Sequence, residues 1–310
     1  MKTRSLLRQT AALLLIFSVI LIGGCRLFVE EFRAFGIADR FVENQDNARM
    51  ALQAIEADVL PEDDEYYAGR VAAAQILDAY DVWDNQRANE YINLLGQTLA
   101  VASDRPVIFA GYRFMILDSD EINGLSTPGG HIFVTRGLLR LAEDEHEVAA
   151  ILAHEISHVA YRHGAKAIME TRGRNLALRM EAWNYQLESV GAGSTILGRA
   201  VGILEERVQS VVNALLGDGY SQDAEIEADL GAVQILLKLG YDPYALVRVL
   251  ERLDTAYQQS DRRNRTGFNK THPNPGRRIR EIERRLPEQP LTTVNENVIQ
   301  RRYQAALRGV

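Results

Sequence analysis

The chain has 310 residues, 46% of them hydrophobic and 25% charged, with a formal net charge of −7. That length accommodates one large or two modest domains. The composition is that of a folded globular protein and excludes a collagen, a coiled coil or a wholly disordered chain. The acidic balance argues against generic nucleic-acid binding.

The N-terminus reads as a targeting segment. Lys2, Arg4 and Arg8 precede an apolar run from Ala11 to Ile22, which ends in Gly23-Gly24-Cys25. The run is shorter than the roughly 20 apolar residues of a membrane-spanning helix and has the build of an export signal. Small residues before a lone cysteine look like a bacterial lipobox, in which the signal is cut before the cysteine and lipid is attached to it. Cys25 is the only cysteine, so it has no internal disulfide partner. The alternative is an uncleaved signal anchor; either way the rest of the chain is expected outside the cytoplasm, tethered to a membrane. Arg26, in place of an Asp, leans towards the outer membrane. Residues 1–24 carry three positive charges and no negative ones, so their removal takes the net charge to −10.

The expected organisation is a signal peptide over 1–24, a lipid-anchored segment over 25–60, the main folded domain over 61–286 and a peripheral tail over 287–310. Asn44–Val59 reads as a helix, and Pro61-Glu62-Asp63-Asp64 opens the next one with proline and acids in its first turn. Helical period continues over 65–80, with Val71, Ala74, Ile76, Leu77 and Tyr80 as its apolar stripe, and over 86–102. Tyr112–Asp118 then reads as a strand, Pro128-Gly129-Gly130 as a turn and His131–Thr135 as a second strand. Helices follow at 138–141 and from Glu147 to about Arg162. The 164–219 stretch is mostly helical, with an amphipathic segment over Ile196–Leu216. Further helices are predicted over Asp223–Leu239, stopping at Gly240, over Pro243–Gln258 and, as the last, over Pro275–Leu286. Arg262–Gly267 reads as a solvated loop. The fold class is therefore mainly α with a small β-sheet, an α+β arrangement.

The chemistry is concentrated in His154-Glu155-Ile156-Ser157-His158. Two histidines four residues apart on a helix lie within about 40° of each other, on one face. They can pinch one metal ion. Glu155 follows the first ligand and can take a proton from a metal-bound water. Val148, Ala149, Ile151, Leu152, Ile156 and Val159 make the helix apolar on most sides. A buried helix carrying two His and a Glu needs a reason, and a Zn2+ ion is the simplest. A third ligand is sought in Glu225-Ile226-Glu227-Ala228-Asp229. Glu225 would bind the ion and Asp229, one turn on, would bond a ligand histidine. Glu227 points about 200° from Glu225 and is expected in solvent. By the same geometry His163 lies on the far side of the zinc helix, His146 faces solvent, and His272 is either a packing or an active-site residue.

Several stretches, in order, resemble the HtpX and CAAX-prenyl-protease family of metalloendopeptidases, a gluzincin group. They are Asn123-Gly124, Pro128–Thr135, Gly137–Leu139, Glu147–His158, Glu225–Asp229, Gly240–Pro243, and His272-Pro273 with Arg278-Ile279. The match runs from about residue 60 to 285. The resemblance implies a gluzincin fold, one Zn2+ on His154, His158 and Glu225, and Glu155 as catalytic base. It also implies an edge strand over Gly129–Val134 that binds substrate backbone through Gly129, Gly130, His131 and Ile132, with Asn123 bordering the cleft. His272 is implied to lie near the metal, stabilising the oxyanion or filling the open position of a latent state. Two positions depart from the pattern: Gln222, where Arg is usual, and Gly124, where Ala is frequent. Integral members carry membrane helices that this chain lacks beyond its N-terminus. The expectation is a lipid-anchored periplasmic zinc endopeptidase acting on misfolded or misassembled envelope proteins. Rivals are a latent chaperone-like adaptor, a zinc amidase acting on cell-wall peptides and a purely structural zinc site. Cleavage preference and oligomeric state are left open.

Overall fold

The computed structural model describes residues 62–167, 219–259, 272–286 and 292–310. From Glu65 onward these belong to one compact unit. The N-terminal apolar run, Cys25, the Asn44–Val59 segment, the amphipathic Ile196–Leu216 segment and the Arg262–Gly267 loop lie outside the described residues.

Helix α1 (Glu62–Ala79) starts where Pro61 and the acidic residues predict. Its buried face shares only part of the expected stripe: Ile76 is buried as expected, Glu65, Gly69, Ala72 and Ala73 join it, and Val71 and Leu77 are each 41% exposed. Close approach explains the change. A Cβ on residue 69 would stand 1.6 Å from the Pro128 carbonyl oxygen, so small side chains occupy the contact and larger ones are turned out. Buried Glu65 is neutralised by Arg105 and Arg162.

Helix α2 (Gln86–Val101) is capped by Asn85, whose side chain accepts from Ala88 N. Strands β1 (Arg113–Leu117), β2 (Gly124–Ser126) and β3 (His131–Thr135) form one sheet in the order β1-β3-β2. β1 runs parallel to β3 and β2 antiparallel to it. Gly129 and Gly130 make the β2–β3 turn at φ 74° and 95°, a region other residues enter at a steric cost. Leu117, Leu125 and Phe133 pack with Ala73 and Ile76 of α1 on one face. Phe114, Ile116, Ile132 and Val134 join the main core on the other.

The two sheet edges differ. On β1, Asn93 bonds Phe114 at both N–H and C=O, Asn89 accepts from Ile116 N, Gln97 donates to Tyr112 O and Trp83 N donates to Ile116 O. The amides of α2 thus seal that edge. On β2, Thr135 N donates to Asn123 O and Thr127 N donates to His131 O. Gly124 and Ser126, between those pairs, aim their backbone groups away from β3.

A short helix α3 (Arg136–Leu139) leads to α4 (Glu145–Ala160), capped by Asp144 and buried over Glu145–Val159. Helices α5 (Gln222–Leu239) and α6 (Ala245–Gln259) pack against it. Small residues of α5 face α4: a Cβ on Gly231 would stand 2.7 Å from Ser157 Oγ. Helix α7 (Pro275–Glu283) follows the predicted proline start.

The C-terminus corrects the sequence reading. A further helix, α8 (Glu296–Ala306), lies where a peripheral tail is expected, and it packs into the core through Ile299 and Ala306. Arg302 of α8 pairs with the buried Glu145 at the start of α4, which also accepts from Tyr91 and Tyr241 hydroxyls. Glu147 is held by Arg248 and Arg252 of α6. Both acids therefore anchor the N-terminus of α4, where a helix dipole favours negative charge. Among the described residues no helix is long and apolar enough to cross a membrane.

Candidate metal centre

The last turns of α4 bring His154, Glu155 and His158 to the interior, where α5 supplies Glu225 and the segment before α7 supplies His272. Ligand atoms of His154, His158, Glu225 and His272 all lie within 4.8 Å of one another, and all four residues are buried. His154 Nε2 stands 3.0 Å from His158 Nε2 and 3.3 Å from His272 Nδ1. Glu225 oxygens stand 3.6 Å from His154 Nε2, 3.4 Å from His158 Nε2 and 3.0 Å from His272 Nδ1. Donors at the corners of a tetrahedron about zinc are separated by about 3.3 Å, given metal–nitrogen bonds near 2.0–2.1 Å. His272 is the fourth member of the group.

Glu155 is fully buried, and neither of its carboxylate oxygens meets a hydrogen-bond donor among the described residues. It lies against the backbone of Gly124, where a Cβ would stand 2.6 Å from Oε1. Glu155 Oε1 is 3.6 Å from His272 Nε2, which in turn faces Gly124 O at 3.4 Å.

A second layer fixes the donors. His154 Nδ1 is 2.9 Å from Asp229 Oδ1, the arrangement expected from the sequence. Asp229 is gripped by both the Nε and an Nη of Arg278 (2.7 and 2.6 Å), and the other Nη contacts Glu225 at 3.0 Å. Arg278 is fully buried. Sequence reasoning gave it no role beyond its place in the Arg278-Ile279 landmark. Tyr220, in the Tyr-Ser pair ahead of α5, was equally missed. Its ring stacks on His158 at 4.2 Å and 19°, and its hydroxyl donates to Ser126 O at 3.3 Å.

Burial and charged neighbours act differently on the three donors. Burial opposes charge on Glu225, but His272, Arg278 and His158 overcome it and hold the carboxyl well below its usual range. Burial holds His158 well below the ordinary histidine range, as a neutral ligand requires. For His154 burial acts the same way, yet Asp229 and Glu225 outweigh it and raise its pKa to about 9.

Several predicted positions turn out differently. β3 is the central strand, so Gly129, Gly130, His131 and Ile132 offer no edge for strand addition; β2 does. His131 instead stacks on Tyr66 at 5.5 Å. Asn123 puts its side chain on Tyr80, while Gly124, the next residue, faces Glu155 across the sheet. His146 is buried between Glu296 and Asp242 N rather than solvated. His163 is not carried to the far side of α4, because the helix ends at Ala160; its Nδ1 lies 2.8 Å from His158 Nδ1. Glu227 is half-exposed, as expected, and also meets His163 Nε2 at 3.0 Å. Gln222 accepts from Arg277 at the surface, well placed as a neutral partner for a cation.

Comparison with known proteins accounts for this constellation. Residues 86–286 match the model of Peptidase family M48. The chain belongs to that family. Over 201 residues it is 32% identical to the beta-barrel assembly-enhancing protease of Escherichia coli (strain K12), covering 63% of this chain and 38% of that protein. It is 31% identical over 202 residues to the putative beta-barrel assembly-enhancing protease of Vibrio cholerae, covering 65% and 40%. It is 31% identical over 166 residues to the mitochondrial metalloendopeptidase OMA1 of Schizosaccharomyces pombe, covering 54% and 44%. The matched region thus spans less than half the length of each of these relatives. M48 metalloproteases are zinc-dependent. The donor set of this M48 chain fits that ion: two neutral-capable imidazoles, a carboxylate held ionised, tetrahedral spacing, and an adjacent buried carboxylate without a donor.

Proposed function

We propose that this chain is a zinc metalloendopeptidase, tethered by lipid on Cys25 to the periplasmic face of a bacterial membrane, the outer one favoured, that cleaves misfolded or misassembled envelope polypeptides. The observation that carries it is the convergence of His154, His158 and Glu225 beside Glu155, a buried carboxylate whose oxygens meet no donor among the described residues. The relatives named for β-barrel assembly support the envelope setting, and the Ala11–Cys25 pattern supports the anchor.

His154 Nε2, His158 Nε2 and a Glu225 oxygen would hold the ion, with Asp229 orienting His154. When bound, the ion polarises the scissile carbonyl and makes water acidic near neutral pH. Glu155 would take a proton from the attacking water and deliver it to the leaving amine. Its seat against Gly124 puts the proton acceptor between the ligands and the sheet edge. An extended substrate adds to the outer edge of β2, pairing with the backbone of Gly124 and Ser126. In the state described here His272 and Tyr220 reach the two outward carbonyls of that edge, and His272 also fills the fourth donor position. His272 is therefore read as a latch that must leave before substrate enters.

Incubation with an unfolded model protein tests this reading. Wild type should cleave it and Glu155→Gln should not; equal cleavage by the two would sink the mechanism. Digestion of peptidoglycan but not of protein would favour the amidase. Labelling with fatty acid should mark wild type and spare Cys25→Ser, and a labelled variant would remove the anchor.

A further inference from the structure

His158 turns Nε2 towards the metal centre, and its second ring nitrogen has a partner that the mechanism above does not use. Helix α4 stops at Ala160, and Arg162 adopts a left-handed φ of 60°, which swings the chain back on itself. The turn delivers His163 onto His158. The two Nδ1 atoms stand 2.8 Å apart, His163 Nε2 stands 3.0 Å from Glu227 Oε2, and His163 is only 3% exposed.

Nitrogen atoms that close share one proton, so one ring donates and the other accepts. A ligating Nε2 must present a lone pair, which places the proton of neutral His158 on Nδ1. His158 Nδ1–H then donates to His163 Nδ1. With Nδ1 accepting, neutral His163 carries its own proton on Nε2 and donates it to the Glu227 carboxylate. Both hydrogen bonds are satisfied in this one direction.

We propose that His163 and Glu227 are positioning residues of the metal centre, forming a relay that fixes the tautomer and ring plane of His158 and strengthens it as a ligand. The proposal rests on the reading of His158 as a zinc ligand. Helix α5 thus serves both histidines. Asp229 acts on His154 directly, from the interior. Glu227, half-exposed, acts on His158 through an intervening imidazole. Lys166, 3.9 Å from the same Glu227 oxygen, adds a cation at the outer end of the relay.

The test is Zn2+ affinity of the full chain, read by competition with a chromophoric chelator. Loss of such an outer partner typically weakens metal binding 10–100-fold. His163→Ala should fall in that range. His163→Gln should recover most of it, because its amide oxygen can accept from His158 and its amide nitrogen can donate to Glu227. Glu227→Ala should show a smaller loss with an unchanged apo-protein melting temperature, and it carries the test if His163→Ala fails to fold. Wild-type affinity in both alanine variants overturns the relay and leaves the metal centre standing. A wild-type chain that holds no zinc overturns both readings.

Discussion

The Glu155 carboxylate rests against the backbone of Gly124, with Oε1 only 2.6 Å from where a Cβ on residue 124 would be. The Glu155 carboxylate and the open sheet edge are thus one packed contact, and its geometry depends on a missing methyl group. Gly124→Ala should push Glu155 out of place without touching a metal donor. Displacement by about 1 Å can cost on the order of 100-fold in rate. The expected result is a fall in kcat of about that size with zinc content unchanged. Full activity in the variant would show that Glu155 has room to spare.

Glu155→Gln should abolish general-base catalysis, lowering peptide hydrolysis by roughly 10²–10⁴-fold, while zinc still binds with wild-type stoichiometry. Metal analysis alongside the cleavage assay checks both halves. Loss of zinc would mean that Glu155 supports the centre instead of acting on substrate.

His272 Nδ1 occupies the fourth corner of the donor set, and Nε2 faces Gly124 O. His272→Ala should free both the open position and the sheet edge while leaving three ligands. Proteolysis of an unfolded substrate should rise, by roughly tenfold if the latched state is about 90% populated. A drop in activity would assign His272 to the oxyanion instead.

Asp229 holds both His154 and the fully buried Arg278. Asp229→Ala takes two close contacts from the buried guanidinium and leaves Glu225 alone to balance its charge; breaking a buried ion pair costs about 3–5 kcal/mol. Denaturant unfolding of the apo-protein should show a loss of that order. Wild-type stability would mean that Glu225 alone suffices for Arg278.

Glu147 gives the pH dependence. Burial raises its pKa, but hydrogen bonds from Arg252, Glu143 N and Arg248 outweigh it and hold the carboxyl below the ordinary glutamate range. A pKa depressed in the folded state contributes stability that is present above the unfolded pKa and lost as pH falls through the folded one. Stability should therefore decline below about pH 4.3, and Glu147→Gln should be less stable at neutral pH but less sensitive to acid. Urea midpoints between pH 3 and 7 measure it. Parallel curves for the two proteins would remove Glu147 from the acid response.

Local pattern in the sequence determined a good deal. Helical spacing placed His154 and His158 on one face, the apolar neighbours required burial, and the acidic pair four residues apart in Glu225–Asp229 anticipated a donor and its supporting carboxylate. Turn chemistry at Pro128-Gly129-Gly130 and the period change at Tyr112 located strands. These are properties of near neighbours, set by 3.6- and 2-residue periods. Tertiary structure decided everything that depends on which elements meet. The α1 stripe holds at Ile76 but not at Val71 and Leu77, because closeness to Pro128, not side-chain hydrophobicity alone, chooses the inner face. Strand order is invisible in a strand's own residues, so only the sheet topology shows that β3 is central and that β2, not β3, is the edge that α2 does not cover. His163 was misplaced because a helical wheel holds only while the helix lasts, and this one ends at Ala160. The chain after Pro287 looked peripheral until Arg302 met Glu145 across the start of α4. Spacing could nominate the centre's donors; only packing could set His272 among them and His163 behind them.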